Sequence, residues 1–304
     1  IYLIRDRLGV KPIYYFKDQT SFIFGSELKS ILEVLPQKPK INTQSVSDSL
    51  TLRYVPAPET IWDNIYKIEP GHYLEYDINL KTSKITKYWD VDFKSQPLNK
   101  SRDYVKEFED LFLAAVEKRL LAADVPVGIL LSGGLDSSCV AAAAVELGHK
   151  NFHTFSIGFE DGGEFSELSY ARQVAEYIGS EHHEIIISRQ QFVDFIDEFV
   201  WHTDEPIADL ASIPLYYLSK LAAKHVKVVL SGEGADEILA GYNLDQLAHK
   251  MFYLKLANYL PKPLLKMLPY NSLKMLAKSG YKNFLKQDAA HITNVFSEQE
   301  KTKF

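Results

Sequence analysis

The sequence predicts an α/β protein, a parallel sheet with helices on both faces, preceded by a β-rich segment. Three observations predict it. From Val125 onward, short apolar runs alternate with helical stretches, as in strands joined by crossover helices. Two of those runs pass directly into turns rich in Gly, Ser and acidic residues, each opening a helix. Residues 1 to about 95 instead carry closely spaced strand and turn signals.

The elements follow in order. Ile13-Tyr14-Tyr15-Phe16, the turn Lys17-Asp18-Gln19, and Ser21-Phe22-Ile23-Phe24 read as a hairpin. Ser26 to Leu35 reads as a short helix stopped by Pro36. Glu69-Pro70-Gly71-His72 is a turn leading into the strand-like Tyr73-Leu74-Glu75-Tyr76. Polar Lys94 to Lys100 reads as a linker. Beyond it Val105, Phe108, Leu111, Phe112, Ala115 and Val116 fit one helix face, with Ser101 as the expected N-cap. Then come strand Val127–Leu131, helix Ser137–Leu147, strand Phe152–Phe159, helix Ser166–Ile178, strand Glu184–Ile187, helices to about His225, and strand Val226–Leu230. Past Tyr242 the chain reads as helical, with breaks at Pro261 and Pro263.

Composition narrows the function classes. With 46% hydrophobic and 24% charged residues over 304 positions, the chain has enough apolar material for a packed core. A net charge of −6 argues against a protein that coats nucleic acid. No uninterrupted apolar run approaches the roughly 18 residues of a membrane span. Ile1 to Arg7 lacks the features of a signal peptide and reads as the middle of a strand, so an upstream segment is expected. The single cysteine, Cys139, allows no internal disulfide, which fits a reducing cytoplasm. On an Ala-rich helix it reads as a small core residue.

The sharpest feature is Leu131-Ser132-Gly133-Gly134-Leu135-Asp136-Ser137-Ser138 between a strand and a helix. Glycines allow a tight turn and close approach of a ligand, and the helix N-terminus offers free N–H groups to an anion. Ser132, Ser137 and Ser138 add hydroxyls. Asp136 suits phosphate only with a cation between them, and magnesium meets that need. Without the Lys of a Walker A loop, the string is a different kind of phosphate loop. A second loop, Ser231-Gly232-Glu233-Gly234-Ala235-Asp236-Glu237, follows the strand Val226–Leu230. Ligands of open parallel sheets collect at such strand ends, so both loops are expected at one pocket. Glu237, one residue into the helix, reads as a surface or capping group.

Ser132 to Ser138, Phe155-Ser156-Ile157-Gly158-Phe159, and Ser231 to Glu237 with Gly241-Tyr242 together resemble the synthetase domain of the glutamine-hydrolysing asparagine synthetases. Arg5 to Tyr15 and Gly25-Ser26-Glu27-Leu28-Lys29 resemble the closing part of that family's glutaminase domain. Tyr54-Val55-Pro56-Ala57-Pro58 and Pro70 to Leu74 resemble its bridge to the synthetase domain. The resemblance implies an ATP pyrophosphatase-type synthetase domain at 101–304, truncated at its C-terminus. It follows a β-rich remnant of an N-terminal nucleophile glutaminase domain at 1–95.

The reaction so implied is amidation of aspartate to asparagine through a β-aspartyl-AMP intermediate. Ammonia comes from glutamine, and AMP and pyrophosphate are released. Ser132, Gly133, Gly134, Leu135, Asp136, Ser137 and Ser138 would hold the pyrophosphate portion of ATP. Leu131, Ile157, Ser231 and Gly232 would line the nucleotide. Asp136 and Asp236 would bind Mg2+, and Glu233 would be the catalytic carboxylate. The implied partners are aspartate, ATP and glutamine or ammonia, without nucleic acid or membrane. A homodimer is compatible with this, though no residue pattern requires one.

The family's nucleophilic Cys and its later Arg-Val-Pro-Phe-Leu-Asp motif do not occur between Ile1 and Phe304, so both ends of the domain pair are expected to lie outside the chain. A relative that amidates another carboxylate, or closes a β-lactam, is the alternative reading. His182 and His183 are a poor metal pair, because neighbours on a strand face opposite ways. Asp204-Glu205-Pro206 resembles a family segment near the acceptor site and equally fits a capped turn.

Overall fold

A computed structural model describes residues 1–92, 99–162, 166–209, 211–239 and 241. The linker Lys94–Lys100 lies outside these residues except for Asn99 and Lys100, and the helical tail expected beyond Tyr242 lies outside them entirely. The chain forms two compact units. One holds residues 1–92 and Asp197–Asp209; the other holds the remaining described residues.

In the first unit, β1 (Tyr2–Ile4), β5 (His72–Asp77) and β6 (Thr82–Lys87) form one antiparallel sheet. β2 (Tyr14–Lys17), β3 (Phe22–Gly25) and β4 (Ile65–Lys67) form another, in the order β3-β2-β4. The hairpin turn is fixed by Asp18, whose carboxylate accepts N–H bonds from Thr20 (2.7 Å) and Ser21 (2.6 Å). Alternation along β2 explains the layers. Tyr15 joins Leu3, Ile68, Leu74 and Tyr76 on one side, and Phe16 joins Leu28, Ile31 and Ile65 on the other. Leu28 and Ile31 belong to α1 (Leu28–Val34), the short helix expected before Pro36. Fully burying each such side chain contributes about 1.5–3 kcal/mol. α2 (Thr43–Leu52) is capped by Asn42, whose side chain accepts from the Ser45 N–H.

In the second unit, β7 (Val127–Leu130), β8 (His153–Phe159), β9 (Glu181–Ile187) and β10 (Val228–Leu230) form a parallel sheet in the order β10-β7-β8-β9. α3 (Tyr104–Leu121), α4 (Leu135–Glu146) and α5 (Leu168–Ile178) cover one face, where Val116, Leu120, Ile129, Val140, Ala141 and Ala171 are buried together. α8 (Ser212–Ala222) covers the other through Leu218 and Ala222 against Phe155 and Val226. The chain after β9 forms α6 (Arg189–Asp194), with a Ser188–Gln191 capping box, and then α7 (Ile196–Thr203), which from Asp197 onward belongs to the first unit.

Local readings needed correction. α3 is capped by Asp103, which accepts from Lys106 N–H, and not by Ser101, whose hydroxyl bonds Asn99 instead. Its apolar stripe is only partly used: Val116 is buried and Phe112 packs on the core, whereas Val105, Phe108 and Leu111 are exposed. Cys139 is exposed, because the buried face of α4 is set by Ser137, Val140, Ala141 and Ala144 and residue 139 points away from it. β9 starts at Glu181, three residues before the expected start at Glu184.

Candidate active site

The phosphate-type loop leaves the carboxyl end of β7. Leu131 extends the ladder, its N–H bonding the Phe155 carbonyl at 2.8 Å, and its own carbonyl accepts from the Ser156 hydroxyl. The turn is held internally. The Ser132 and Ser137 hydroxyls lie 3.0 Å apart, Gly134 N–H donates to Ser132 Oγ, and Ser138 Oγ donates to the Gly134 carbonyl at 2.6 Å. Gly133 sits at φ +81°, and a Cβ there would meet the Ala171 nitrogen at 2.4 Å. Both conditions exclude a side chain. α4 then starts at Gly134 with no side-chain cap, so its first-turn N–H groups remain open to an anion.

The acidic loop leaves β10 beside it. Gly232 packs directly on the first loop: a Cβ there would lie 2.8 Å from the Ser137 nitrogen and 2.9 Å from Asp136 Cβ. The missing side chain is therefore what lets the two loops touch. α9 (Ala235–Leu239) opens immediately afterwards, with Asp236 and Glu237 in its first turn.

Between the loops lies a cleft of about 450 Å³. Of the residues singled out from sequence, Leu131, Ser132, Asp136, Ser137, Ile157, Ser231, Gly232, Glu233 and Asp236 line it. Gly133, Gly134, Leu135 and Ser138 do not; they shape the turn, and Leu135 faces solvent. Glu237, read as a capping group, also lines the cleft. Phe159, Glu167, Leu215 and Leu218 also line the cleft and were not among the site residues singled out from sequence. Position at a strand's carboxyl end was a usable signal for Phe159. No local signal marks Glu167 at the start of α5.

The donor set is made of oxygen. Carboxylates from Asp136, Glu233 and Asp236, serine hydroxyls and open N–H groups face the cleft, with no imidazole or thiol among its lining. An all-oxygen set of this kind is the chemistry a hard cation such as Mg2+ prefers. None of these three carboxylates has a hydrogen-bonding or ionic partner among the described residues.

The acidic pair at the end of α7 is arranged differently. In the first unit, Asp204 accepts from the Leu28 N–H at 2.9 Å and pairs with Lys29 at 3.0 Å. It thereby caps α1, which has no cap of its own. Glu205 pairs with Lys67 at 2.7 Å and accepts from the Ile61 N–H at 3.1 Å. Burial pushes the Glu205 pKa up, with Lys67 opposing. Burial also pushes nearby Tyr14 up to about 12, with Glu205 adding to the shift.

Two protein families match different stretches of the chain. The asparagine synthase family matches residues 107–302, and the glutamine amidotransferase domain family matches residues 1–89. A putative glutamine-hydrolyzing asparagine synthetase of Methanocaldococcus jannaschii is 39% identical over 84% of this chain and 49% of its own length. Glutamine-hydrolyzing asparagine synthetase 1 of Bacillus subtilis is 39% identical over 80% of this chain and 38% of its own. An amidase of Gibberella zeae is 28% identical over 79% of this chain and 37% of its own. The chain thus spans half or less of the length of these relatives. On the extent of the first match and the identity of the first two relatives, this chain belongs to the asparagine synthase family.

Proposed function

We propose that the cleft of the second unit activates the side-chain carboxylate of aspartate with ATP and delivers it to ammonia, forming asparagine, AMP and pyrophosphate. The observation that carries this reading is the abutment of two strand-end loops at Gly232, which puts an uncapped helix N-terminus and three carboxylates, unpaired among the described residues, around one cavity. A carboxylate oxygen of aspartate attacks the α-phosphorus, the bond to the β-phosphate bridge breaks, and pyrophosphate leaves toward Ser132–Ser138. Open N–H groups at the start of α4 stabilise the charge gathering on the phosphates. Asp136 and Asp236 would hold Mg2+, which would neutralise phosphate charge. Ammonia then attacks the acyl carbon of β-aspartyl-AMP, and AMP departs. The attacking nitrogen loses a proton, and Glu233, exposed at the cleft, accepts it.

In this reading residues 101–304 belong to the synthetase domain and 1–95 to a glutaminase domain and its bridge. Glutamine supplies the ammonia in the whole enzyme, a homodimer is a compatible assembly, and the reaction takes place in the cytoplasm. No described helix is long and apolar enough to cross a membrane. The test supplies aspartate, ATP, Mg2+ and either ammonium or glutamine to the full-length gene product. Asparagine with AMP and pyrophosphate is expected. ADP in place of AMP contradicts the mechanism, and turnover only with a different acid moves the substrate assignment to that acid.

A further inference from the structure

The amino end of the parallel sheet gathers imidazoles. The register sets His153 against Glu181 and Phe155 against His183, so these four side chains share one face of β8 and β9. It is the face covered by α8, since Phe155 packs with Leu218, Ala222 and Val226. His225 comes from the turn between α8 and β10, its N–H bonded to the Ala222 carbonyl at 2.9 Å. It meets the others past Gly128 of β7, where a Cβ would strike the Phe155 ring at 2.6 Å and Val226 at 3.2 Å. The His225 ring centre lies 3.9 Å from that of His183 and 5.3 Å from that of His153. Buried Phe155 forms an apolar floor beneath them.

We propose that His153, Glu181, His183 and His225 form a site for a divalent transition-metal ion of the zinc class. The donor atoms of all four lie within 4.8 Å of one another. His153 Nδ1 is 3.0 Å from His183 Nε2, and the Glu181 carboxylate lies 3.6 Å and 3.4 Å from those two nitrogens. Tetrahedral zinc, with bonds of about 2.0–2.1 Å, separates its ligands by roughly 3.3 Å, so this triangle already has the required size. Imidazoles with one carboxylate suit Zn2+, whereas Mg2+ prefers all-oxygen sets. His182 takes no part: it lies on the opposite face, bonded to Thr154 at 2.9 Å. The site is separate from the nucleotide cleft. Phe159, which lines that cleft, lies roughly 20 Å along β8 from His153. Its effect is therefore to tie β8, β9 and the turn before β10 together.

The test adds Zn2+ or Co2+ alone to the chelator-stripped full chain and measures stoichiometry by equilibrium dialysis, the visible Co2+ spectrum and the shift in Tm. One equivalent of metal, a tetrahedral Co2+ spectrum and a raised Tm are expected. Glu181→Ala and His225→Ala remove exposed ligands and should each weaken binding by at least ~10-fold, whereas His149→Ala, at an exposed histidine outside the cluster, changes nothing. A stripped chain that ignores micromolar Zn2+, or binding that survives the Glu181→Ala/His225→Ala double variant, overturns the site. If His183→Ala fails to fold, the exposed pair still decides the question.

Discussion

The chain carries two sets of acidic residues in two regions, and they are treated in opposite ways. In the first unit Asp204 and Glu205 are half-buried or deeper and fully engaged by Lys29, Lys67 and three backbone N–H groups. In the second, Asp136, Glu233 and Asp236 line a cleft with no partner among the described residues. Engaged carboxylates stabilise the protein that holds them. Bare ones lining one cavity remain available to a cation and the phosphates it accompanies. The two sets should therefore respond differently to substitution, one in catalysis and the other in folding.

The sharpest way to break this contrast is Glu233→Gln. Loss of a general base lowers kcat about 10²–10⁴-fold, while Tm holds or rises because a like charge has been removed; steady-state kinetics and calorimetry together check it. Glu205→Ala should do the reverse. It strands the Lys67 ammonium, whose side chain is only 13% exposed, and unfolding of the first unit should cost about 3 kcal/mol less in a urea titration. Gly232→Ala puts a methyl where the loops touch, and the KM for ATP should rise roughly 10-fold as they separate. The smallest effect concerns pH. Because burial raises the Glu205 pKa, the folded unit binds its proton more tightly than the unfolded chain. The resulting stabilisation is complete below the unfolded value of about 4.3 and is lost as pH rises through the folded one. Glu205→Gln should flatten that slope in Tm against pH.

Sequence reading reached the loops because their tight turns and close packing need particular residue types at fixed positions. Gly133 must turn with positive φ, Gly232 must lack a Cβ, and Asp136 follows directly on the helix start. It failed where a role depends on distant contacts. Asp204 caps α1 from 176 residues away, which no local pattern encodes. Cys139 and the Val105–Leu111 stripe show the limit of helical periodicity, which identifies a face without saying what covers it. Strand β9 was expected from Glu184, and only the register with β8 shows that Glu181, His182 and His183 belong to it.

The central claim is that the two loops act on one nucleotide through a shared ion. A double-mutant cycle on Mg·ATP affinity, using Asp136→Asn, Asp236→Asn and the pair together, tests it most directly. Once either carboxylate is lost, the second substitution should cost little more, giving a coupling of about 1–3 kcal/mol. Losses that simply add, within about 0.5 kcal/mol, would mean the two aspartates serve no common ligand.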